Sequence, residues 1–118
     1  MRLKEEGDNK RVLTVCTANM LRSPTAAVVL SREPYNFNTR SCGIDDDALI
    51  PVTLRLLGWA DEIVCMDKTH FNQLWNLLDR DDKHKLSCLG IPDVYNYMDP
   101  ELVELIKERY NRIHEDNP

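Results

Sequence analysis

The sequence has no long apolar run and no leader-like start, and these absences exclude two classes of protein. A membrane-spanning helix needs about 20 consecutive apolar residues, and no segment of these 118 residues approaches that length. The first residues, MRLKEE, lack the apolar core of a signal peptide. We therefore expect a cytoplasmic protein without a membrane partner.

Basic charge and clustered metal ligands are also scarce. Fifteen Lys and Arg against twenty Asp and Glu give a net charge of −5, whereas a general nucleic-acid binder shows a basic surface. The four cysteines, at positions 16, 42, 65 and 88, form no CxxC motif. The chain has only three histidines. Such spacing suits free thiols in a reducing cytosol better than zinc ligands or disulfides. We predict no metal site and no cofactor.

The composition that remains is that of an ordinary globular domain. With 42% hydrophobic and 30% charged residues, the chain can bury a core but has no room for a second globular unit. We expect a single domain over residues 1–118. Residues 1–10 and 114–118 are polar and terminal, so we expect them to be loose.

Apolar patterning predicts an alternation of strands and helices. Short β-branched or apolar runs predict strands at 12–15, 38–41, 62–66 and 85–89. Pro24, Pro51 and Pro100 stand where helices begin, and Gly58 stands where the second helix would end. Apolar residues at helical spacing predict a further helix over 71–78. This alternation implies right-handed crossovers and a parallel sheet covered on both faces.

The segment CTANMLRSP, after the first predicted strand, carries the chemistry. Ligands of parallel α/β folds bind at the carboxyl ends of strands, and Cys16 stands at such an end. The next five residues form a loop whose N–H groups can converge on an anion: Thr17, Ala18, Asn19, Met20 and Leu21. Arg22 and Ser23 close the loop where Pro24 begins a helix. These donors stabilise a thiolate and an oxyanion of phosphate size, which Arg22 can bind bidentately.

This Cys-x5-Arg-Ser loop resembles the active-site loop of the low-molecular-weight protein tyrosine phosphatases, and the chain resembles a compact bacterial member of that family. Three further segments are similar to family segments, and they lie at 40–43, 60–67 and 92–95. The resemblance covers most of residues 11–113. The expected fold is α/β, with three layers (α-β-α) and about four parallel strands in the order 2-1-3-4.

The resemblance implies hydrolysis of phosphotyrosine or aryl phosphate monoesters through a cysteinyl-phosphate. Cys16 would attack phosphorus, the loop amides and Arg22 would stabilise charge, and Ser23 would ease departure of the thiolate. Inorganic phosphate, sulfate or vanadate would occupy the same loop. Asn19 would hold the loop in a left-handed backbone conformation, which asparagine tolerates, with Ser41 as its hydrogen-bond partner.

The general acid that protonates the leaving group is one of two aspartates. Asp93 lies in a loop after the last predicted strand, at a distance from the final helix that resembles the family's acid. Asp99 precedes Pro100 and so reproduces the family's Asp-Pro pair, but it also suits a helix N-cap. We favour Asp93. Tyr95 or Tyr97 would line the cleft and stack on a substrate ring, unless they only pack within the loop.

Two departures from the family pattern and two other functions enter the interpretation. Leu21 stands where many members have a second loop cysteine, and residues 43–51 are short and acidic. A thiol-dependent arsenate reductase would use the same loop, but it needs a thiol relay, and Cys65 and Cys88 are far apart in sequence. A non-catalytic phospho-ligand binding module would not require the nucleophile. His70 lies in a polar segment, and we expect it to be solvated and without a role.

Overall fold

The computed structural model describes residues 9–115, which form four strands and four α-helices in alternation. In chain order these elements are β1 (Arg11–Cys16), α1 (Arg22–Ser31), β2 (Asn38–Gly43), α2 (Leu54–Trp59), β3 (Glu62–Cys65), α3 (Lys68–Leu77), β4 (Leu86–Cys88) and α4 (Pro100–Glu115). Most of the two predicted loose ends, namely residues 1–8 and 116–118, lies outside the described residues. Among residues 9–115, no helix is long and apolar enough to cross a membrane.

The strands form one parallel sheet in the order β2-β1-β3-β4, which confirms the expected fold class. In the register of β1, Cys16 lies level with Gly43 on β2, and Val15 lies level with Cys65 on β3. β3 pairs in turn with β4, so that Cys65 lies level with Cys88. Because all strands run the same way, the loops that follow β1, β3 and β4 meet at one edge of the sheet.

Helices cover both faces of the sheet, because side chains alternate between the faces along each strand. On one face, α1 and α4 pack over a core that includes Val12, Cys16, Val64, Ala26, Val29, Leu102 and Ile106. On the other face, α2 and α3 pack over a core that includes Leu13, Val15, Cys42, Ile63, Cys65, Leu57 and Leu74. Cys16 therefore faces the α1–α4 layer, whereas Cys42 and Cys65 face the α2–α3 layer.

Helix α2 begins later than predicted. Thr53 is its N-cap, and the Thr53 side chain accepts the N–H of Leu56 at 3.1 Å. Pro51 does not open the helix because its backbone forms a parallel bridge with Gly43, which extends the edge of β2. The helix also continues through Gly58 instead of ending there.

The bounds of α1 and β4 differ from the prediction by one or two residues. α1 begins at Arg22, so that Pro24 lies within its first turn, where a missing N–H costs no helical hydrogen bond. The strand predicted over 85–89 is limited to Leu86–Cys88, because a 3-10 helix, Arg80–Lys85, leads directly into it.

Buried Glu62 ties both ends of the described chain to the sheet. Its carboxylate accepts a hydrogen bond from the Tyr110 hydroxyl at 2.7 Å and lies 2.8 Å from Lys10 Nζ. His114 Nε2 lies 2.9 Å from the second carboxylate oxygen. Helix α4 begins at Pro100 as predicted and continues past His114. The prediction of loose ends is therefore wrong for Lys10 and His114.

Candidate active site

The loop that joins β1 to α1 is held from one side by the segment 44–49. Three consecutive loop carbonyls accept N–H groups of that segment at 2.9, 3.1 and 3.1 Å: Cys16 from Ile44, Thr17 from Asp45 and Ala18 from Leu49. Because N–H and C=O point in opposite directions across a trans peptide, the amides of this stretch turn toward the inside of the loop. The Asn19 N–H donates to the Cys16 sulfur at 3.2 Å. The loop thus presents backbone donors to an anion beside the sulfur.

Asn19 supports the loop with a left-handed backbone, as predicted. Its φ is 58°, and its buried side-chain oxygen accepts a hydrogen bond from the Ser23 hydroxyl at 3.0 Å. The prediction that Ser41 is this partner is wrong. Ser41 lies level with Thr14, in the body of β1, and so does not reach the loop, whereas Ser23 lies in the first turn of α1, beside Cys16.

Ser23 is placed to stabilise negative charge on the sulfur. Its hydroxyl oxygen lies 3.0 Å from Cys16 Sγ, 3.0 Å from Asn19 Oδ1 and 3.2 Å from the Cys42 carbonyl oxygen. The hydroxyl has one proton for these three acceptors. It can turn to the sulfur when the sulfur is a thiolate, because a hydrogen bond to a charged acceptor is the stronger one.

Arg22 is almost fully buried, with 2% of its surface exposed, and it is held by the loops after β3 and β4. Its Nη1 donates to the Ile91 carbonyl oxygen at 2.8 Å and to Asp67 Oδ2 at 3.1 Å. Burial tends to raise the pKa of Asp67, but the hydrogen bond from Arg22 and the nearby His70 outweigh it and lower the pKa below its usual value. Asp67 is therefore an ionised partner for the buried guanidinium.

His70 is a site residue that the sequence analysis missed. It is buried, whereas its polar surroundings in the sequence predict a solvated ring. Its Nδ1 accepts the backbone N–H of Asp67 at 3.2 Å, while the Asp67 side chain caps α3. This network assigns the ring proton to Nε2, which donates to Thr17 Oγ1 at 2.8 Å. The Asp-x-x-His spacing after a strand, a variant of the capping box, is the signal that could have found it.

These groups surround a cavity of about 270 Å³, lined by Cys16, Thr17, Ala18, Met20, Leu21, Arg22 and Asp93. Asp93 is 60% exposed, and its Oδ1 lies 3.5 Å from Arg22 Nε. Asp99 lies outside the lining and accepts the Glu101 N–H at 2.9 Å, which caps α4. Neither Tyr95 nor Tyr97 lines this cavity: Tyr95 packs against the α1–α4 core, as the alternative of plain packing has it, and Tyr97 is exposed.

Comparisons with known proteins agree with this architecture. No protein-family model and no curated protein sequence matches the chain. A solved low molecular weight phosphotyrosine phosphatase from Vibrio cholerae O395 is similar over 91% of this chain and 95% of that chain, with a TM-score of 0.69 and 24% identity. The chain has the low molecular weight phosphotyrosine phosphatase fold. The resemblance noted in the sequence is thus confirmed at the level of the fold.

Two further structures share the low molecular weight phosphatase fold. Wzb from Vibrio vulnificus, solved in complex with benzylphosphonate, matches 92% of this chain and 99% of its own, with a TM-score of 0.69 and 22% identity. An arginine phosphatase from Geobacillus stearothermophilus matches 91% and 94%, with a TM-score of 0.64 and 19% identity. One fold serves different substrates in these proteins, so function has to be argued from the site.

Two variants separate the contacts of His70. His70→Gln keeps an N–H donor near the position of Nε2, whereas His70→Asn keeps an acceptor for the Asp67 N–H but is too short to reach Thr17. We expect His70→Asn to weaken the binding of inorganic vanadate about tenfold, as the loss of a buried hydrogen bond would, and His70→Gln to weaken it much less. Isothermal titration calorimetry measures both, and a loss of affinity that is equal in the two variants or larger in His70→Gln would show that the contact of His70 with Thr17 does not support anion binding.

The pH dependence of stability provides a second test of buried His70. Burial lowers the pKa of His70, against the opposing effect of Asp67. An unfolded histidine takes up its proton near pH 6.5, so the unfolded state gains protons first and stability falls as the pH drops below that value. We expect urea titrations to show that the free energy of unfolding falls less between pH 7.5 and pH 5.5 for His70→Gln than for the wild type. An unchanged difference would contradict a buried neutral imidazole.

Proposed function

We propose that the protein is a phosphatase that hydrolyses phosphotyrosine or aryl phosphate monoesters through a cysteinyl-phosphate on Cys16. The observation that carries the proposal is the cavity in which a buried cysteine sulfur, a fixed arginine and an exposed carboxylate meet. The complex of Wzb with benzylphosphonate supports the same substrate chemistry in this fold.

The loop amides and Arg22 bind the phosphoryl group. The Nη1 of Arg22 is engaged by Ile91 and Asp67, so Nε and Nη2 form the guanidinium edge that can hold two phosphate oxygens. The loop amides that turn away from segment 44–49 serve the remaining oxygen. Because these donors are already fixed, little reorganisation is needed when charge grows in the transition state.

In the first step, the Cys16 thiolate attacks phosphorus, so that a P–S bond forms and the P–O bond to the leaving group breaks. Asp93 donates its proton to the departing oxygen. This proton matters because a phenolate is the anion of a weak acid with a pKa of about 10. The exposed position of Asp93 at the cavity lets a bulky leaving group reach it.

In the second step, water attacks the cysteinyl-phosphate. Asp93, now a carboxylate, accepts a proton from that water, and the P–S bond breaks to release inorganic phosphate. The Ser23 hydroxyl, 3.0 Å from the sulfur, donates to the departing thiolate and so lowers the energy of the leaving group.

The rim of the cavity supports an aromatic substrate. Met20 lines the cavity and has an exposed apolar side chain, and exposed Leu49 is bound to the loop through the Ala18 carbonyl. Such a rim can pack on an aromatic ring. This apolar contact favours phosphotyrosine over the phosphorylated arginine that the name of the Geobacillus protein indicates.

The two other functions fit the site less well. Cys65 and Cys88 are far apart in sequence but lie side by side on β3 and β4. However, both pack in the α2–α3 layer while Cys16 packs in the α1–α4 layer, so the sheet separates them and an arsenate-reducing relay is disfavoured. A binding module would have no use for Asp93 at the cavity.

Matched aspartate variants test the mechanism. We expect Cys16→Ser to abolish hydrolysis of phenyl phosphate and Asp93→Asn to lower kcat about 100- to 1,000-fold, the usual contribution of a general acid. The loss should be smaller for an activated nitrophenyl ester, which needs less protonation. Asp99→Asn keeps the helix cap and should keep the activity. Steady-state rates from pH 5 to 8 measure these effects.

Other outcomes of that experiment have definite meanings. A lower kcat in Asp99→Asn, together with an unchanged kcat in Asp93→Asn, would show that Asp99 is the general acid. No turnover from a folded wild type, together with phosphopeptide binding that survives Cys16→Ser, would replace the enzyme by a binding module.

Peptides of one sequence that carry phosphotyrosine, phosphoserine or phosphoarginine test the substrate class. We expect kcat/KM to be highest for phosphotyrosine, and Met20→Ala to lower that value about three- to tenfold because part of the ring loses its apolar contact. Leu54→Ala, at the start of α2, removes another exposed apolar side chain; it is the matched control and should have no effect. Faster release of phosphate from phosphoarginine would contradict the assignment.

A further inference from the structure

Cys65 and Cys88 form a thiol pair that the proposed reaction does not use. They are the last residues of β3 and β4, they lie level with each other, and both pack in the α2–α3 layer. Neighbouring strands lie about 4.8 Å apart, within the Cα separation of about 4.4–6.8 Å that a disulfide spans. Cys42 lies in the same row, but Val15 of β1 stands between it and Cys65.

The two thiols differ in their surroundings. The interaction between the two thiols is the main reason that the pKa of Cys88 is lowered, with help from the Gly90 N–H and Lys68 and against burial and Asp67. The same interaction and complete burial raise the pKa of Cys65. Cys88 is also the more accessible sulfur, because it is only partly buried. Cys88 is thus the reactive thiol, and Cys65 keeps its proton.

We propose that Cys65 and Cys88 are an oxidation site, which reacts with hydrogen peroxide and closes to a disulfide. The Cys88 thiolate attacks one peroxide oxygen, the O–O bond breaks, and a sulfenic acid and hydroxide result. The Cys65 sulfur then attacks the Cys88 sulfur, so that an S–S bond forms and the S–O bond breaks. In total two thiols lose two electrons and two protons, and one peroxide becomes two water molecules.

The disulfide would act on Arg22 through the backbone. The Cα spacing of the two strands suits a disulfide, but the bond draws its Cβ atoms to about 3.8 Å, whereas level side chains on neighbouring strands begin about 4.8 Å apart. Closing the bond therefore pulls the ends of β3 and β4 together. Asp67 lies two residues after Cys65, and Ile91 lies three residues after Cys88. These two residues hold Arg22 Nη1. The Cys65 sulfur also lies 3.6 Å from the Asp67 carbonyl oxygen, a hydrogen bond that oxidation removes. This consequence for turnover rests on the proposed function, whereas the disulfide does not.

Intact mass and peptide mapping after peroxide treatment test the oxidation site. Inorganic phosphate is present during treatment to occupy the loop at Cys16. We expect the wild type to lose the mass of two hydrogens and to yield a peptide that joins residues 65 and 88, and dithiothreitol to reverse both. Cys42→Ser, a matched thiol in the same layer, should behave like the wild type, whereas Cys88→Ser and Cys65→Ala should form no such link. Reduced thiols at 65 and 88 after Cys16 is oxidised would overturn the proposal.

Turnover measured after removal of peroxide and phosphate tests the link to Arg22. We expect the oxidised wild type to lose about tenfold in kcat/KM for an aryl phosphate, because small displacements of a positioning group are costly, and dithiothreitol to restore it. Cys88→Ser should keep its activity through the same treatment. A disulfide without loss of turnover would overturn the link. A wild type without turnover before oxidation would count against the proposed function alone, since the mass measurement does not depend on it.

Discussion

The buried guanidinium of Arg22 is the constraint on which the rest of the site depends. Arg22 is only 2% exposed, and burying a charged side chain costs free energy of folding unless the charge is paired and hydrogen-bonded. Its partners, Asp67 and the Ile91 carbonyl, follow β3 and β4, while Arg22 itself closes the loop after β1. Three loops so distant in sequence meet only because the strands are parallel and adjacent. The sheet order is therefore a requirement of the site, and the site in turn holds together the edge where the strands end.

Close packing fixes the loop before any ligand arrives. Gly43 ends β2 beside the loop, and a Cβ at this position would lie 2.5 Å from the Thr17 carbonyl oxygen and 2.6 Å from the Ala48 side chain. Glycine is needed because the backbone of β2 passes so near the loop. The left-handed Asn19 and the contact of His70 with Thr17 restrain the same few residues from other sides. Donors fixed in this way suit electrostatic stabilisation of a phosphoryl group.

Local patterns made the fold and the loop predictable from the sequence. A β-branched run, a cysteine, five loop residues, Arg22, Ser23 and a proline are contiguous, and each has a local physical meaning. The errors concern contacts between distant segments. Ser41 is not the partner of Asn19, because the register of β2 on β1, which the sequence does not show, places Ser41 level with Thr14. His70 was missed because its burial depends on how α3 meets the loop. The catalytic roles of Cys16 and Asp93 stay predictions.

Strand alternation separates two kinds of sulfur chemistry at one edge. Val15 lies level with Cys65, and Cys16 follows Val15, so its side chain points to the opposite face. A register shift of one residue would bring Cys16 into the layer of Cys65 and Cys88. In the observed register, the proposed nucleophile and the proposed oxidisable pair share the edge where the strands end, but on opposite faces of the sheet, which prevents direct exchange of disulfides. Oxidation of the pair could therefore affect the site only through the backbone at Asp67 and Ile91, because both residues accept a hydrogen bond from Arg22.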